Sequence, residues 1–308
     1  MPAAEVTVHP DQPARIRSPW GFPLREDIAF TDLHGVERRD ASRRARQALE
    51  KLQEPLRKIL EPDEVVLYFA RGQIMPGKLQ RYTQGTQSRF LAPAALILTN
   101  RRLLHLSLRW NGRWNRNVRS AHWGDVKEGH VPAFRFGKLH LEYRQGSKET
   151  YWRIPKDAAK KIQLLLDILL PAPAGETSAA LSMVSFCPKC LAALMPDVYE
   201  CRRCGLKFKD GKTLLLHALL IPGGAYFYVG FDLFGVAHAC LDVAIISSLI
   251  GWVLAFMGRV QPHLQVGAPP TRFAYGVLTT FLASILVFDI CMSVSIARNA
   301  IRNFIPDS

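Results

Sequence analysis

The sequence contains no glycine-rich nucleotide loop, no Gly-x-Ser-x-Gly elbow and no His-Glu-x-x-His helix, so a non-enzymatic role is expected. No apolar run follows Met1. The opening PAAEVTVHPDQPARIRSP predicts a chain without a cleavable signal peptide and a soluble part that stays in the cytosol. Cysteine is scarce: there are six in 308 residues, four of them between Cys187 and Cys204, with Cys240 and Cys291 in apolar segments. That split argues against a secreted disulfide framework and for reduced thiolates. Acidic residues are also short, 26 against 40 basic ones, for a net charge of +14. The charge is segregated. From Lys212 onward five basic residues meet four acidic ones, so the +14 less this +1 leaves +13 on residues 1–211. Such an excess favours anionic surfaces such as acidic lipid or nucleic acid.

The fold class expected is multidomain α+β. Residues 1–40, rich in Pro, Arg and Asp without sustained periodicity, predict an irregular arm. Residues 41–170 predict a helix followed by a β-rich domain. In the helix Ala45, Leu49, Leu52, Leu56 and Leu60 recur at helical spacing, Pro55 should kink or restart it, and its apolar face needs a partner. Strands are expected at 64–70, 94–99 and 103–108, around Phe134, Phe136, Leu141 and Tyr143, and at 150–154, for about six or seven in all. Lys156 to Leu170 closes the domain as an amphipathic helix carrying Ile162, Leu165, Leu166 and Leu169 on one face, stopped by Pro171. Residues 171–183 read as a linker.

A first strand after Glu61-Pro-Asp-Glu64, a central Leu98-Thr-Asn-Arg-Arg-Leu-Leu-His105 hairpin and a terminal helix resemble the bacterial pleckstrin-homology and GRAM-like domains over roughly residues 45–170. The resemblance implies a strongly bent sheet or barrel capped by a helix, a scaffold used for lipid headgroups or peptides. Fold alone does not choose between those ligands.

Residues 184–210 hold Cys187-Pro-Lys-Cys190, ten intervening residues, then Cys201-Arg-Arg-Cys204-Gly205. Each tight turn can aim two sulfurs at one point, and two such turns supply tetrahedral thiolate coordination for Zn²⁺. Four sulfurs with no His or carboxylate leave no open position, so a structural zinc is expected. Lys189, Arg202, Arg203, Lys207 and Lys209 would offset the −2 charge of a Zn(Cys)₄ centre. Metal binding would supply much of the folding energy of so short a segment. The motif resembles the small zinc ribbons, or rubredoxin-like knuckles, of many bacterial membrane proteins.

Residues 213–302 read as a membrane region with apolar segments at 213–230, 234–257 and 273–297, against roughly 20 residues needed to cross the hydrocarbon core. The second and third should span. The first is interrupted by Pro222-Gly-Gly224 and is expected as a broken or re-entrant helix; its Ile221-Pro-Gly-Gly-Ala-Tyr-Phe-Tyr-Val-Gly230 run resembles the two-transmembrane-hairpin family, while Tyr226 and Tyr228 also suit interfacial anchors. Lys207, Lys209 and Lys212 put the preceding flank on the cytosolic side of the inner membrane, while Arg259 and Arg272 balance Arg298 and Arg302 and leave the C-terminal tail undecided. In an antiparallel hairpin Asp242 and Asp289 both fall about 22–24 Å from the loop end, at one depth, with His238 on the face of Asp242. Intramembrane acids turn toward a partner or a pore.

Two surfaces compete for a role. Arg101, Arg102, Arg109, Arg113, Arg116 and Arg119, interleaved with Trp110, Trp114 and Trp123, suit anionic headgroups or a protein partner and point to a membrane-anchored binding or scaffold protein. The same stretch could instead be a charged strand pair with its tryptophans packed inward. His238, Asp242 and Asp289 offer the alternative of a small transporter or channel component, which three segments would require to be a homo-oligomer. Nucleic acid is disfavoured, since no recognition helix or RNA-binding signature is present.

Overall fold

A computed structural model describes residues 19–75, 93–109, 111–132, 135–170, 183–195, 198–257 and 272–301. The chain divides into two compact units, Met1–Leu206 and Lys207–Ser308. The first is called the head and the second the tail.

The head runs α1 (Glu26–Ala29), α2 (Arg39–Glu50), α3 (Gln53–Ile59), β1 (Val66–Ile74), β2 (Pro93–Thr99), β3 (Arg102–Leu108), β4 (Trp114–His122), β5 (Val126–His130), β6 (Gly137–Tyr143), β7 (Lys148–Ile154), α4 (Lys156–Leu169), β8 (Val184–Phe186) and β9 (Ala193–Leu194). Among the described residues the strands form one open antiparallel sheet in the order β5-β6-β7-β1-β2-β3-β4-β8-β9. The β2 sequence Ala94-Ala-Leu-Ile-Leu-Thr99 is apolar throughout rather than alternating because both faces of the sheet are covered. On one face Leu96, Leu98 and Leu103 share a core with Leu139, Leu141, Tyr143 and Tyr151, so β5–β7 fold over β1–β4, and Ile162, Leu165, Leu166 and Leu169 of α4 cap it. On the other face Ala95, Ile97, Leu104 and Leu106 pack under Leu49, Leu52 and Leu56. The amphipathic helix thus finds its partner in the outer face of the sheet. It is split into α2 and α3, with Pro55 in the first turn of α3, where its missing N–H leaves no helical bond unmade.

From residue 19 onward the arm is irregular apart from α1, yet it is packed into the head rather than hanging free of it. Trp20, Phe22, Leu24, Ile28 and Phe30 are buried in the head. The segment enters beside β1, where Arg25 N–H donates to the Val66 carbonyl at 2.9 Å and Val66 N–H to the Pro23 carbonyl at 3.0 Å. Lys161 of α4 is buried and donates to the carbonyls of Ile28 and Thr31, tying the segment to the capping helix. Trp20, Phe22 and Leu24 lie in a turn, a bend and a single bridge to Val66, so their burial leaves no periodic trace in the sequence. Residues 1–18 and the linker residues 171–182 lie outside the described residues.

A correction concerns the cysteine-rich segment, expected as a unit of its own. β8 pairs with β4 in the register Val118↔Phe186, Arg119↔Ser185 and Ser120↔Val184, so the segment extends the head's sheet. Phe136, expected in a strand, sits just before β6 and is exposed.

The tail comprises α5 (Gly211–Leu220), α6 (Gly224–Val229), α7 (Asp232–Phe256) and α8 (Arg272–Ile301). α7 has 25 residues and α8 has 30, each long and apolar enough to cross a membrane. Their large side chains are exposed, Leu233 and Phe273 each by 81%. The first apolar segment is broken after Leu220, and Gly223 takes a left-handed φ of 67° at the break. α6 doubles back along α5: the His217 and Tyr228 rings lie 4.8 Å apart, and Asp210 N–H donates to the Tyr228 hydroxyl at 3.1 Å. Asp210 also caps α5, accepting from the Lys212 and Thr213 amides.

Candidate functional site

The four cysteine sulfurs all lie within 4.8 Å of one another, in no disulfide, and could hold a metal ion. Sγ of Cys187 is 3.6 Å from that of Cys204, and Sγ of Cys190 is 3.5 Å from that of Cys201. A tetrahedral centre with bonds of about 2.3 Å has sulfur–sulfur edges of about 3.8 Å, so the set fits. The two turns that build it match bond for bond. Leu191 N–H donates to the Cys187 carbonyl at 2.9 Å, and Cys187 N–H to the Ala192 carbonyl at 2.9 Å. In the second turn Gly205 N–H donates to the Cys201 carbonyl and Cys201 N–H to the Leu206 carbonyl, both at 2.8 Å. Each turn closes on a left-handed residue, Leu191 at φ 55° and Gly205 at φ 67°. Glycine takes that conformation freely, whereas leucine is strained there by about 1–2 kcal/mol. The Leu191 side chain packs against the outer core of the head, a contact glycine would not make. The backbone N–H groups of Lys189 and Cys190 point to Cys187 Sγ, and those of Arg203 and Cys204 to Cys201 Sγ, as thiolates require.

A second polar set sits within the tail. His238 Nδ1 of α7 lies 3.2 Å from Asp289 Oδ2 of α8, and Gly223 N–H donates to Asp242 Oδ2 at 2.8 Å. Asp242 is buried, and its Oδ1 has no hydrogen-bond partner among the described residues. The shared depth of the two acids therefore brings them into one cluster, with His238 bonded to the acid of the opposite helix. Tyr226 is buried against His238, ring centroids 4.5 Å apart, so it walls this site rather than anchoring at an interface. Gly223 was legible as a helix breaker but not as a donor. A Cβ there would lie 2.2 Å from the Gly235 carbonyl oxygen, so only glycine allows the break to press on α7.

The arginine and tryptophan stretch splits into inward and outward residues. Arg102 is buried and forks onto Glu64 at 2.9 and 2.7 Å while also donating to the Ile59 carbonyl. Burial pushes the Glu64 carboxyl up, yet the Arg102 guanidinium and the Thr99 hydroxyl together hold it below the usual carboxylate range. Arg119 faces the inner core and pairs with Glu149 at 2.5 Å. Trp123 is buried and donates to the Thr99 carbonyl; Trp114 is half-buried and donates to the Asn117 carbonyl. Arg101 stays at the surface in pairs with Glu61 and Asp63. As a docking surface, then, Arg102, Arg119 and Trp123 drop out, because a cation between two covered sheet faces needs a carboxylate of its own. Arg109, Arg113 and Arg116 are exposed, and Trp110 lies outside the described residues. Sequence reasoning missed two neighbours of the Arg109–Arg113 turn: Lys51 donates to the Asn111 carbonyl, and Arg71 lies against Gly112.

Facing Arg119 across the strands is His105, wholly buried, with neither ring nitrogen hydrogen-bonded and its ring 5.5 Å from that of Tyr151. Burial, helped by the Arg119 charge, pushes its pKa down to about 3. It is a neutral packing residue.

Comparison of the chain with models of protein families, with curated proteins and with solved structures finds no match.

Proposed function

We propose that this chain is a membrane-anchored binding protein, without enzymatic activity, whose pleckstrin-like head engages an anionic membrane surface or an equally acidic partner at the cytosolic face. Three features support the head's assignment: the strand order β5-β6-β7-β1-β2-β3-β4, the folding of β5–β7 over β1–β4, and the capping helix α4. The observation that carries the binding role is the β3–β4 turn. There Lys51, Arg71, Arg109, Arg113 and Arg116 collect in the open, with no carboxylate paired to any of them among the described residues. Unpaired exposed cations are worth about 1 kcal/mol each beside an anionic bilayer.

Zinc is the metal proposed for Cys187, Cys190, Cys201 and Cys204, because four thiolates in a closed tetrahedral set suit it and leave no position for substrate. Its role is structural: it holds the two turns whose first strand extends the head's sheet. α7 and α8 are proposed to span the inner membrane, and α5 with α6 to enter and return. Ten residues of α5 reach about 15 Å, half of the hydrocarbon core. α7 then starts on the side of Lys207, Lys209 and Lys212, and the C-terminal end of α8 returns to it.

The binding role is tested by flotation of residues 1–206 with vesicles. Fragment 41–170 would lack both the N-terminal segment of the outer core and β8. Binding to phosphatidylserine-containing vesicles and none to neutral ones is expected, with the triple change Arg109→Ala, Arg113→Ala, Arg116→Ala lowering affinity about a hundredfold. Equal binding to neutral vesicles, or an unaffected triple variant, would remove the lipid reading.

A further inference from the structure

The tail holds a cluster that anchoring does not require. A plain pair of anchoring helices would carry apolar residues at mid-depth, since each ionisable group in hydrocarbon is costly. Here Asp242, Asp289 and His238 meet there, and the tip of the α5–α6 hairpin is pressed onto them through Gly223. The depths agree: Asp242 is ten residues into α7, about 15 Å, which is also the reach of α5.

Charge counting leaves the cluster incomplete. A protonated His238 would neutralise Asp289, and the Gly223 N–H satisfies one oxygen of Asp242 without neutralising it. One negative charge would then remain, on a buried carboxylate whose Oδ1 meets no donor among the described residues. Asp289 lies within hydrogen-bonding reach of Asp242, so two carboxylates meet that, when both are charged, can only accept. Among the described residues, the other groups facing Asp242 are His238 on its own helix and Tyr226 on α6. From α5, His217 is turned to the Thr213 carbonyl and the Tyr228 ring. A metal ion fits poorly, because the only His, Cys, Asp or Glu set with metal-compatible spacing among the described residues is the four cysteines.

We propose that Asp242 and Asp289, with His238 and the Gly223 amide, form an intramembrane proton-binding site that takes up one proton from water between the two carboxylates. The proton forms one O–H bond on Asp242 Oδ1, which becomes the missing donor. The O–H bond that breaks is one of a hydronium ion, which leaves as water, and the cluster becomes neutral. The proposal is independent of what the head binds.

The test is infrared spectroscopy of the full chain reconstituted in lipid, reading the carbonyl stretch of protonated carboxyl groups. Wild type should show one such band near neutral pH. The band should vanish in Asp242→Asn, and also in Asp289→Asn, because a single carboxylate beside an imidazolium is already neutral. In His238→Gln it should about double, since two carboxylates then lack a cation. Replacing sodium by choline should leave the wild-type band unchanged. No band in the folded wild type, a band that survives Asp242→Asn, a band lost in His238→Gln, or displacement by sodium would each overturn the proposal. Because the wild-type spectrum is decisive alone, a variant that fails to fold leaves the proposal falsifiable.

Discussion

The head and the tail handle buried charge in opposite settings. In the head, Glu64 and Arg102 are sealed between an apolar sheet face and a helix layer, and both groups find partners: a bidentate fork, the Thr99 hydroxyl and the Ile59 carbonyl. In the tail, apolar side chains face outward and the charges face inward, where Asp242 keeps one oxygen without a donor. A charge pair satisfied on all sides fixes a structure, whereas an unsatisfied one leaves a vacancy for a ligand as small as a proton. The metal site belongs with the head by the same logic, since its four sulfurs are aimed by matched turns and fed by backbone amides.

Breaking the metal site should have the largest effect. Cys187→Ser, or chelation, should abolish stoichiometric zinc and remove as much as about 10 kcal/mol of apparent folding energy from the segment. Because β8 lies on β4, residues 1–206 should melt at lower temperature as well, as metal analysis and thermal denaturation would show. Arg102→Ala should cost the head about 3–5 kcal/mol by urea denaturation, because Glu64 is left charged and buried; the double change Glu64→Met, Arg102→Leu should recover most of it. Gly223→Ala should cost about 2–4 kcal/mol in the tail, since the added Cβ meets the Gly235 backbone, and should leave the melting of residues 1–206 unchanged.

The effect that is smallest near neutral pH is an acid slope. His105 is held neutral, with a folded pKa of about 3 below its unfolded value of about 6.5. Between those values the unfolded chain binds the extra proton, so stability falls as pH falls, by at most about 1.4 kcal/mol per pH unit. Glu64 adds to the loss at the acid end of that window, because its folded pKa is depressed and its stabilisation disappears as it protonates. His105→Leu should flatten the slope from about 6.5 downward at little cost, since the ring makes no hydrogen bonds. Urea denaturation of residues 1–206 as a function of pH would show it.

The parts legible in the sequence were those set by local period or spacing. The cysteine pairs, the faces of α4, the long apolar helices and the shared depth of Asp242 and Asp289 all follow from counting along one segment. What was not legible depends on partners far away. Arg102 and Arg119 read as surface cations because their carboxylates, Glu64 and Glu149, lie 38 and 30 residues away and meet them only through sheet pairing. Trp20, Phe22 and Leu24 were legible as irregular but not as buried, because turn and bend residues carry no periodicity that marks an inward face. The break at Pro222-Gly-Gly224 was visible, but its direction is set by the Tyr228 and Gly223 contacts.

The claim on which the contrast rests is that the tail lies in lipid with its polar cluster turned inward. Alkaline carbonate washing of membranes carrying the full chain tests it most directly. The account predicts that the chain stays with the bilayer and needs detergent for release. Its appearance in the aqueous wash as a monodisperse protein would contradict it.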